Sequence, residues 1–243
     1  MSVTVSPVRE GDGRIVGASL VARDISERKA AEQKAALLLG ELDHRVKNIL
    51  TIVSAVVSQT LKTSTSPEAF AVEVKGRIQA IAKAHSLLTQ SGQGEMRLRA
   101  IVTTELAPYD RGAGNIVVTG CDVALTPKAG LALAMAVHEL ASNTAKYGAL
   151  STTAGRLTVA WDVTEDAGQR ALTLAWIECG GPAVQPPTRR GFGTMLIERT
   201  LTHELDAEVK REFLATGLRC TVAMPLTEEV GRVWVAGEPG GTS

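Results

Sequence analysis

Aromatic side chains are scarce: three Phe, three Trp and two Tyr make up 3% of 243 residues. So few rings leave little surface on which bases could stack, which argues against a single-strand nucleic-acid binder. An excess of one charge is missing as well. With 26 Lys and Arg against 26 Asp and Glu, no whole-molecule positive field draws the chain to nucleic acid or to an anionic membrane. Cysteine is limited to Cys121, Cys179 and Cys220. An odd number so far apart offers neither a disulfide framework nor a metal knuckle, and it suits a reducing compartment. The longest apolar run, Ala129 to Val137, is closed off by Lys128 and by His138-Glu139, well short of the ~18–20 residues that cross a bilayer. The N-terminus shows no basic start followed by an apolar core. A cytoplasmic location with no membrane insertion is expected. What the chain does have is 44% apolar residues, enough for real cores, and a length that at ~150 residues per domain gives one large domain or two modest ones.

Along the chain, residues 1–26 alternate and turn like a β-hairpin, with Ser2-Val3-Thr4-Val5 before the turn and Ile15 to Val21 after it. Two strands alone are only marginally stable in water, so the hairpin reads as the edge of a larger sheet. The exit Arg23-Asp24-Ile25-Ser26-Glu27-Arg28-Lys29 resembles the last strand of a PAS sensor domain handing over to a helix. Residues 27–92 then predict a helical hairpin. Leu42, Val46, Ile49, Val53 and Val56 step 4-3-4-3 along the first helix, the spacing of a packing seam. Ser66 as N-cap and Pro67 open the second helix, where Val74, Ile78, Ile81, His85 and Leu88 repeat the spacing. His85 is expected to be a packed residue of that seam. Residues 95–227 change to mixed elements: helices near Leu98–Leu106, Pro127–Tyr147 and Thr194–Leu205, with strands near Asn115–Thr119, Arg156–Val163, Ala171–Glu178, Glu208–Phe213 and Leu218–Met224. That is an α+β layer with helices on one face. A flexible tail is expected over residues 228–243, which hold Gly237, Pro239, Gly240 and Gly241.

Four groups of residues carry potential chemistry. On the first helix, heptad arithmetic puts His44 opposite the seam, where a neutral imidazole can act as a nucleophile. Asp43 can orient that ring or take its proton, Arg45 or Lys47 can meet phosphate charge, and Asn48 lies one turn on. The same spacing also fits a solvated charged face. On the Pro127–Tyr147 helix, Glu139, Asn143 and Lys146 fall at i, i+4 and i+7, a set that can hold a divalent cation and neutralise phosphate, or simply form a polar ladder. On the strand Ala171–Glu178, Glu178 shares the apolar face with Leu172, Leu174 and Trp176. A buried acid needs a donor, and the exocyclic amine of adenine would serve. Beyond it come Gly180-Gly181-Pro182, a polar loop with Arg189 and Arg190, and Gly191-Phe192-Gly193 opening a helix. Glycines there permit close backbone approach to phosphates.

In this order the segments resemble a sensor histidine kinase of the HWE family, whose ATP-binding half is of the GHKL type. Leu42-Asp43-His44-Arg45-Val46-Lys47-Asn48 is similar to the phosphoacceptor box, and Ala82 to Leu88 to the second-helix segment. His138-Glu139-Leu140-Ala141-Ser142-Asn143-Thr144-Ala145-Lys146-Tyr147-Gly148 is similar to the N-box, and Trp176-Ile177-Glu178 to the W-x-E motif. The resemblance implies an α+β fold, with an antiparallel helical hairpin followed by a GHKL-type α/β sandwich. It implies ATP and Mg2+ as cofactors and His44 as phosphoacceptor, with Asp43 and Glu139 assisting catalysis. Asn143 and Glu139 would hold the metal. Asn143, Lys146, Tyr147, Glu178, Gly180, Gly191, Phe192 and Gly193 would bind nucleotide. The implied partner is the receiver domain of a response regulator. A homodimer through the hairpin and a monomer that uses its seams internally both fit. Two other readings stay open: a non-catalytic adaptor that docks a receiver domain, and a GHKL ATPase or serine kinase.

Overall fold

The computed structural model of the chain describes residues 2–9, 11, 13, 15–91, 94–112, 114–183 and 201–234; the side chains of residue 16 and, in the first helix, of residues 28, 32, 38, 39, 41–45, 48 and 63 fall outside that description. Contacts divide the chain into two units, Met1–Ala55 and Val56–Ser243.

In the first unit, β1 (Ser2–Arg9) and β2 (Ile15–Arg23) form an antiparallel hairpin with Ser2 opposite Arg23. The described side chains on both strands are exposed, including Val3, Val5, Val8, Leu20 and Val21. Helix α1 (Ser26–Thr63) follows. Hydrogen bonds from the Ser26 side chain and backbone N–H hold the Asp24 carboxyl below its ordinary range, so the helix starts beside an ionised acid. A proline-free run rich in Ala, Leu, Lys and Glu carries α1 across 38 residues.

The second unit opens with the last turns of α1, where Val56 and Thr60 are buried. Helix α2 (Pro67–Gln90) starts as expected: the Ser66 side chain accepts a hydrogen bond from Ala69 N, and Pro67 sits in the first turn. Its buried face differs from the expected seam. Arg77, Ala80, Ile81 and Ala84 are the buried residues, whereas His85 is exposed and Ile78 is 39% exposed. Small alanines let α2 approach a neighbouring helix closely, and the large-residue periodicity does not register them. The expected packed role of His85 is thereby corrected.

After α2 come β3 (Met96–Arg97), α3 (Leu98–Leu106), β4 (Ile116–Gly120), β5 (Val123–Leu125) and α4 (Pro127–Lys146). Strands β6 (Arg156–Asp166), β7 (Gln169–Cys179), β8 (Glu208–Leu214), β9 (Gly217–Pro225) and β10 (Gly231–Val233) complete the described elements. The main sheet runs β4-β6-β7-β9-β8. Among the described strands only β4 and β6 pair in parallel, and the crossover this demands contains α4. Alternation along β6, β7 and β9 buries Leu157, Val159, Trp161, Leu172, Leu174, Trp176, Val222 and Met224 in one core with Leu133, Val137 and Leu140 of α4. α2 and α3 both pack on α4.

A second, three-stranded sheet of order β10-β5-β3 escapes the sequence reading, because strands of two or three residues are too short to show alternation. It also corrects the expected tail. Gly231–Val233 pair with β5, Arg232 binds Glu95 through two hydrogen bonds of 3.0 and 3.2 Å, and Arg97 stacks 3.4 Å from the Trp234 ring centre. Residues 228–234 are therefore built into the fold.

Candidate active site

Helix α4 begins at Thr126, whose side chain accepts from Ala129 N, with Pro127 in the first turn. Its inward stripe Leu133, Val137 and Leu140 is buried as expected. The polar stripe, however, divides. Asn143 and Lys146 are exposed, while Glu139 is buried under α2. There Arg77 grips it in fork geometry: Nε donates to Oε1 at 2.7 Å and Nη2 to Oε2 at 3.1 Å. Arg77 Nη1 also donates to Thr60 Oγ1 at 2.7 Å. Glu139, expected with Asn143 to face a cation, here carries one guanidinium bond on each of its oxygens. Among the described residues no group of three or more His, Cys, Asp or Glu side chains could hold a metal ion.

His138 turns toward α3 and α2. Its Nδ1 lies 2.8 Å from Glu105 Oε2, Lys83 Nζ lies 3.4 Å from Glu105 Oε1, and a Cβ added at Gly76 would stand 3.2 Å from His138 Nε2. The first two residues of the N-box segment thus make helix-packing contacts, and the nucleotide-facing candidates are the later ones.

Glu178 is buried at 3% exposure on β7, as alternation with Leu172, Leu174 and Trp176 requires. The donors it needs come from the chain itself. Thr144 Oγ1 lies 2.6 Å from Oε1, Trp176 Nε1 donates to Oε1 at 3.3 Å and to Thr144 Oγ1 at 3.2 Å, and Ala149 N donates to Oε2 at 2.9 Å. Ala149 begins a short 3-10 turn, Ala149–Ser151, entered through Gly148. An added Cβ at Gly148 would overlap the Glu178 carboxylate, so only glycine fits between the helix end and the acid. Arg111 anchors the same turn by donating to the carbonyls of Leu150 and Thr152.

Around this buried acid the surface is open. Asn143, Lys146 and Tyr147 are exposed on the last turn of α4, and Cys179 and Gly180 are exposed at the end of β7. Gly180 adopts φ +72°, a conformation glycine takes without strain. The arrangement offers an amide, an ammonium, a phenol and backbone approach next to a rigid carboxylate, a set suited to a nucleotide's base and phosphates. The backbones of Asp43 and His44 lie in α1, and their side chains are outside the described ones. Gly191, Phe192 and Gly193 lie outside the described residues.

Sequence reasoning missed Arg77, Arg111 and Thr144. For Thr144 a signal existed: a threonine inside a helix is a modest helix former and invites the question of what its hydroxyl does. For Arg77 there was none, because the buried face it shares with Ala80, Ile81 and Ala84 shows only in the fold.

Residues 41–122 match the HWE histidine kinase family. A blue-light-activated histidine kinase of Brucella anthropi is 37% identical over 208 residues, covering 85% of this chain and 42% of that protein. Its namesake in Brucella ovis is 36% identical over 211 residues, covering 86% of this chain and 43% of that protein. The chain therefore spans less than half the length of these relatives. Among solved structures, the blue-light activated histidine kinase EL346 of Erythrobacter litoralis superposes with a TM-score of 0.51 at 15% identity, over 92% of this chain and 70% of that one. That likeness is one of fold, a helical hairpin followed by a GHKL-type sandwich. By sequence and fold together, the chain belongs to the HWE histidine kinase family.

Proposed function

We propose that this chain is the kinase portion of a sensor histidine kinase, in which His44 takes the γ-phosphoryl group of Mg-ATP and passes it to an aspartate on a response-regulator receiver domain. The observation that carries the reading is the rigid Glu178 carboxylate beneath the exposed Asn143, Lys146 and Tyr147, in a chain whose family match spans His44. In the reaction, a ring nitrogen of His44 bonds to the γ-phosphorus as the bond to the β–γ bridging oxygen breaks in line and ADP departs. The ring must give up a proton, and Asp43 is assigned to orient it or to receive that proton. Glu178 and Gly180 take the adenine side of ATP. Lys146 meets phosphate charge, and Tyr147, Gly191, Phe192 and Gly193 are assigned to nucleotide binding.

Magnesium would be held through Asn143 and would supply neutralisation of phosphate charge. An exposed Asn143 suits an ion that keeps water and phosphate ligands and needs only one or two protein oxygens. Glu139 would join it, or handle a proton, while each of its oxygens also accepts a bond from Arg77.

The exposed apolar residues Leu61, Val72 and Ile78 support a second copy packing along the hairpin. The β1–β2 hairpin, exposed throughout its described residues, supports its being the edge of a PAS sheet. No described helix is long and apolar enough to cross a membrane.

The test is incubation with γ-labelled ATP and magnesium. Acid-labile, base-stable label is expected on the chain and should vanish in His44→Gln while ATP binding persists. Unchanged labelling in that variant rejects His44 as the acceptor. An acid-stable label would favour a serine kinase, and ATP binding without any label an adaptor.

A further inference from the structure

We propose that Thr144 is a positioning residue that sets purine specificity, an inference that rests on Glu178 being the adenine-facing acid. A carboxylate has about four acceptor sites, two on each oxygen. Among the described residues, three of those on Glu178 are filled: Thr144 O–H and Trp176 N–H reach Oε1, and Ala149 N–H reaches Oε2. One site remains, and it is on Oε2. All three anchors are internal, since Thr144, Trp176 and Ala149 are 1%, 0% and 1% exposed. The 2.6 Å contact has the length of a hydroxyl donating to an ionised oxygen.

The single Thr144 proton has a rival acceptor in Leu140 O at 2.8 Å, the ordinary helix back-bond of a threonine. The shorter, charge-assisted bond to Glu178 takes precedence, and Trp176 N–H, lying between the two oxygens, keeps both in place. The carboxylate plane is therefore fixed before any nucleotide arrives. An acceptor-only group with one aimed lone pair takes an exocyclic amine, as on a 6-aminopurine. It repels the carbonyl oxygen of a 6-oxopurine, which brings acceptor against acceptor. Without the hydroxyl, the carboxylate keeps its place on β7 but gains freedom to turn about its last torsion, and the direction of the open site is lost.

The experiment measures Kd for Mg-ATP and for Mg-GTP by titration calorimetry on the full chain and on variants whose melting curves remain cooperative. Thr144→Val is expected to shrink the ATP-over-GTP preference by about tenfold, the scale of one charge-assisted hydrogen bond. Thr144→Ser, which restores the hydroxyl, should recover it. Thr144→Ala removes the same hydroxyl with little bulk and serves if the valine variant does not fold. Glu178→Gln, which adds a donor to the acid, must narrow the preference as well. If Glu178→Gln narrows it and neither Thr144→Val nor Thr144→Ala does, the role given to Thr144 is wrong while the adenine reading stands. If the preference survives Glu178→Gln unchanged, the adenine reading has failed and the inference falls with it. A preference lost in Thr144→Val but not regained in Thr144→Ser also overturns it, because packing rather than the hydroxyl would then be responsible.

Discussion

Arg77 and Glu139, 62 residues apart in sequence, form a buried bidentate ion pair that joins α2 to α4. Removing one member leaves an uncompensated charge in a site where water does not reach. Arg77→Met is expected to lower unfolding free energy by about 3–5 kcal/mol. Replacing both residues by Met should recover most of that loss, since well-packed apolar pairs often match buried ion pairs in stability. Urea unfolding of the two singles and the double gives the coupling energy. A double variant no more stable than the worse single would mean that the pair is not the unit of stability described above.

Two Gly→Ala substitutions should act in opposite directions. At Gly148 an added Cβ meets the Glu178 carboxylate and comes within 2.9 Å of Thr144 Cα. Overpacking of that kind costs about 1–3 kcal/mol, and ATP affinity should fall with it because Glu178 must move. At Gly40, inside α1, an added Cβ meets nothing within 4 Å. Gly40→Ala should instead favour the helix by about 0.5–1 kcal/mol. Circular dichroism during thermal melting checks both, and calorimetry with ATP checks the first.

The three thiols should react in a fixed order. Burial pushes the Cys220 thiol up to about 11, so the reactive thiolate is scarce at pH 8, and the side chain is also out of reach. Cys121 is partly covered and Cys179 is exposed between Glu178 and Gly180. Iodoacetamide followed by peptide mass mapping should find Cys179 modified first and Cys220 only after unfolding. Saturating Mg-ATP should slow the reaction at Cys179 several-fold, and indifference to nucleotide there would move the adenine away from the end of β7.

Much of this architecture could be read from local signals. Ser66-Pro67 marks a helix start by chemistry that needs no distant partner, and that cap is made as expected; the helix expected from Pro127 starts there, behind a Thr126 cap that the structure adds. The burial of Glu178 followed from simple alternation on β7. What could not be read depends on pairs that only the fold brings together. Thr144 meets Glu178 across 34 residues, and Arg77 meets Glu139 across 62. The buried face of α2 was misjudged for a related reason. Ala80 and Ala84 carry little hydrophobic weight in a sequence, yet their small size is what allows two helices to close together.

Thr60 stands near the end of a helix that runs without interruption from Ser26. Its hydroxyl donates to Val56 O at 2.5 Å and receives Arg77 at 2.7 Å, so the guanidinium is tethered to the backbone of α1 as well as to Glu139. An axial slip of one residue, about 1.5 Å, would carry that hydroxyl beyond bonding reach. A shift of this last turn of α1 would thus be felt first at Arg77, whose other two nitrogens hold Glu139 of α4.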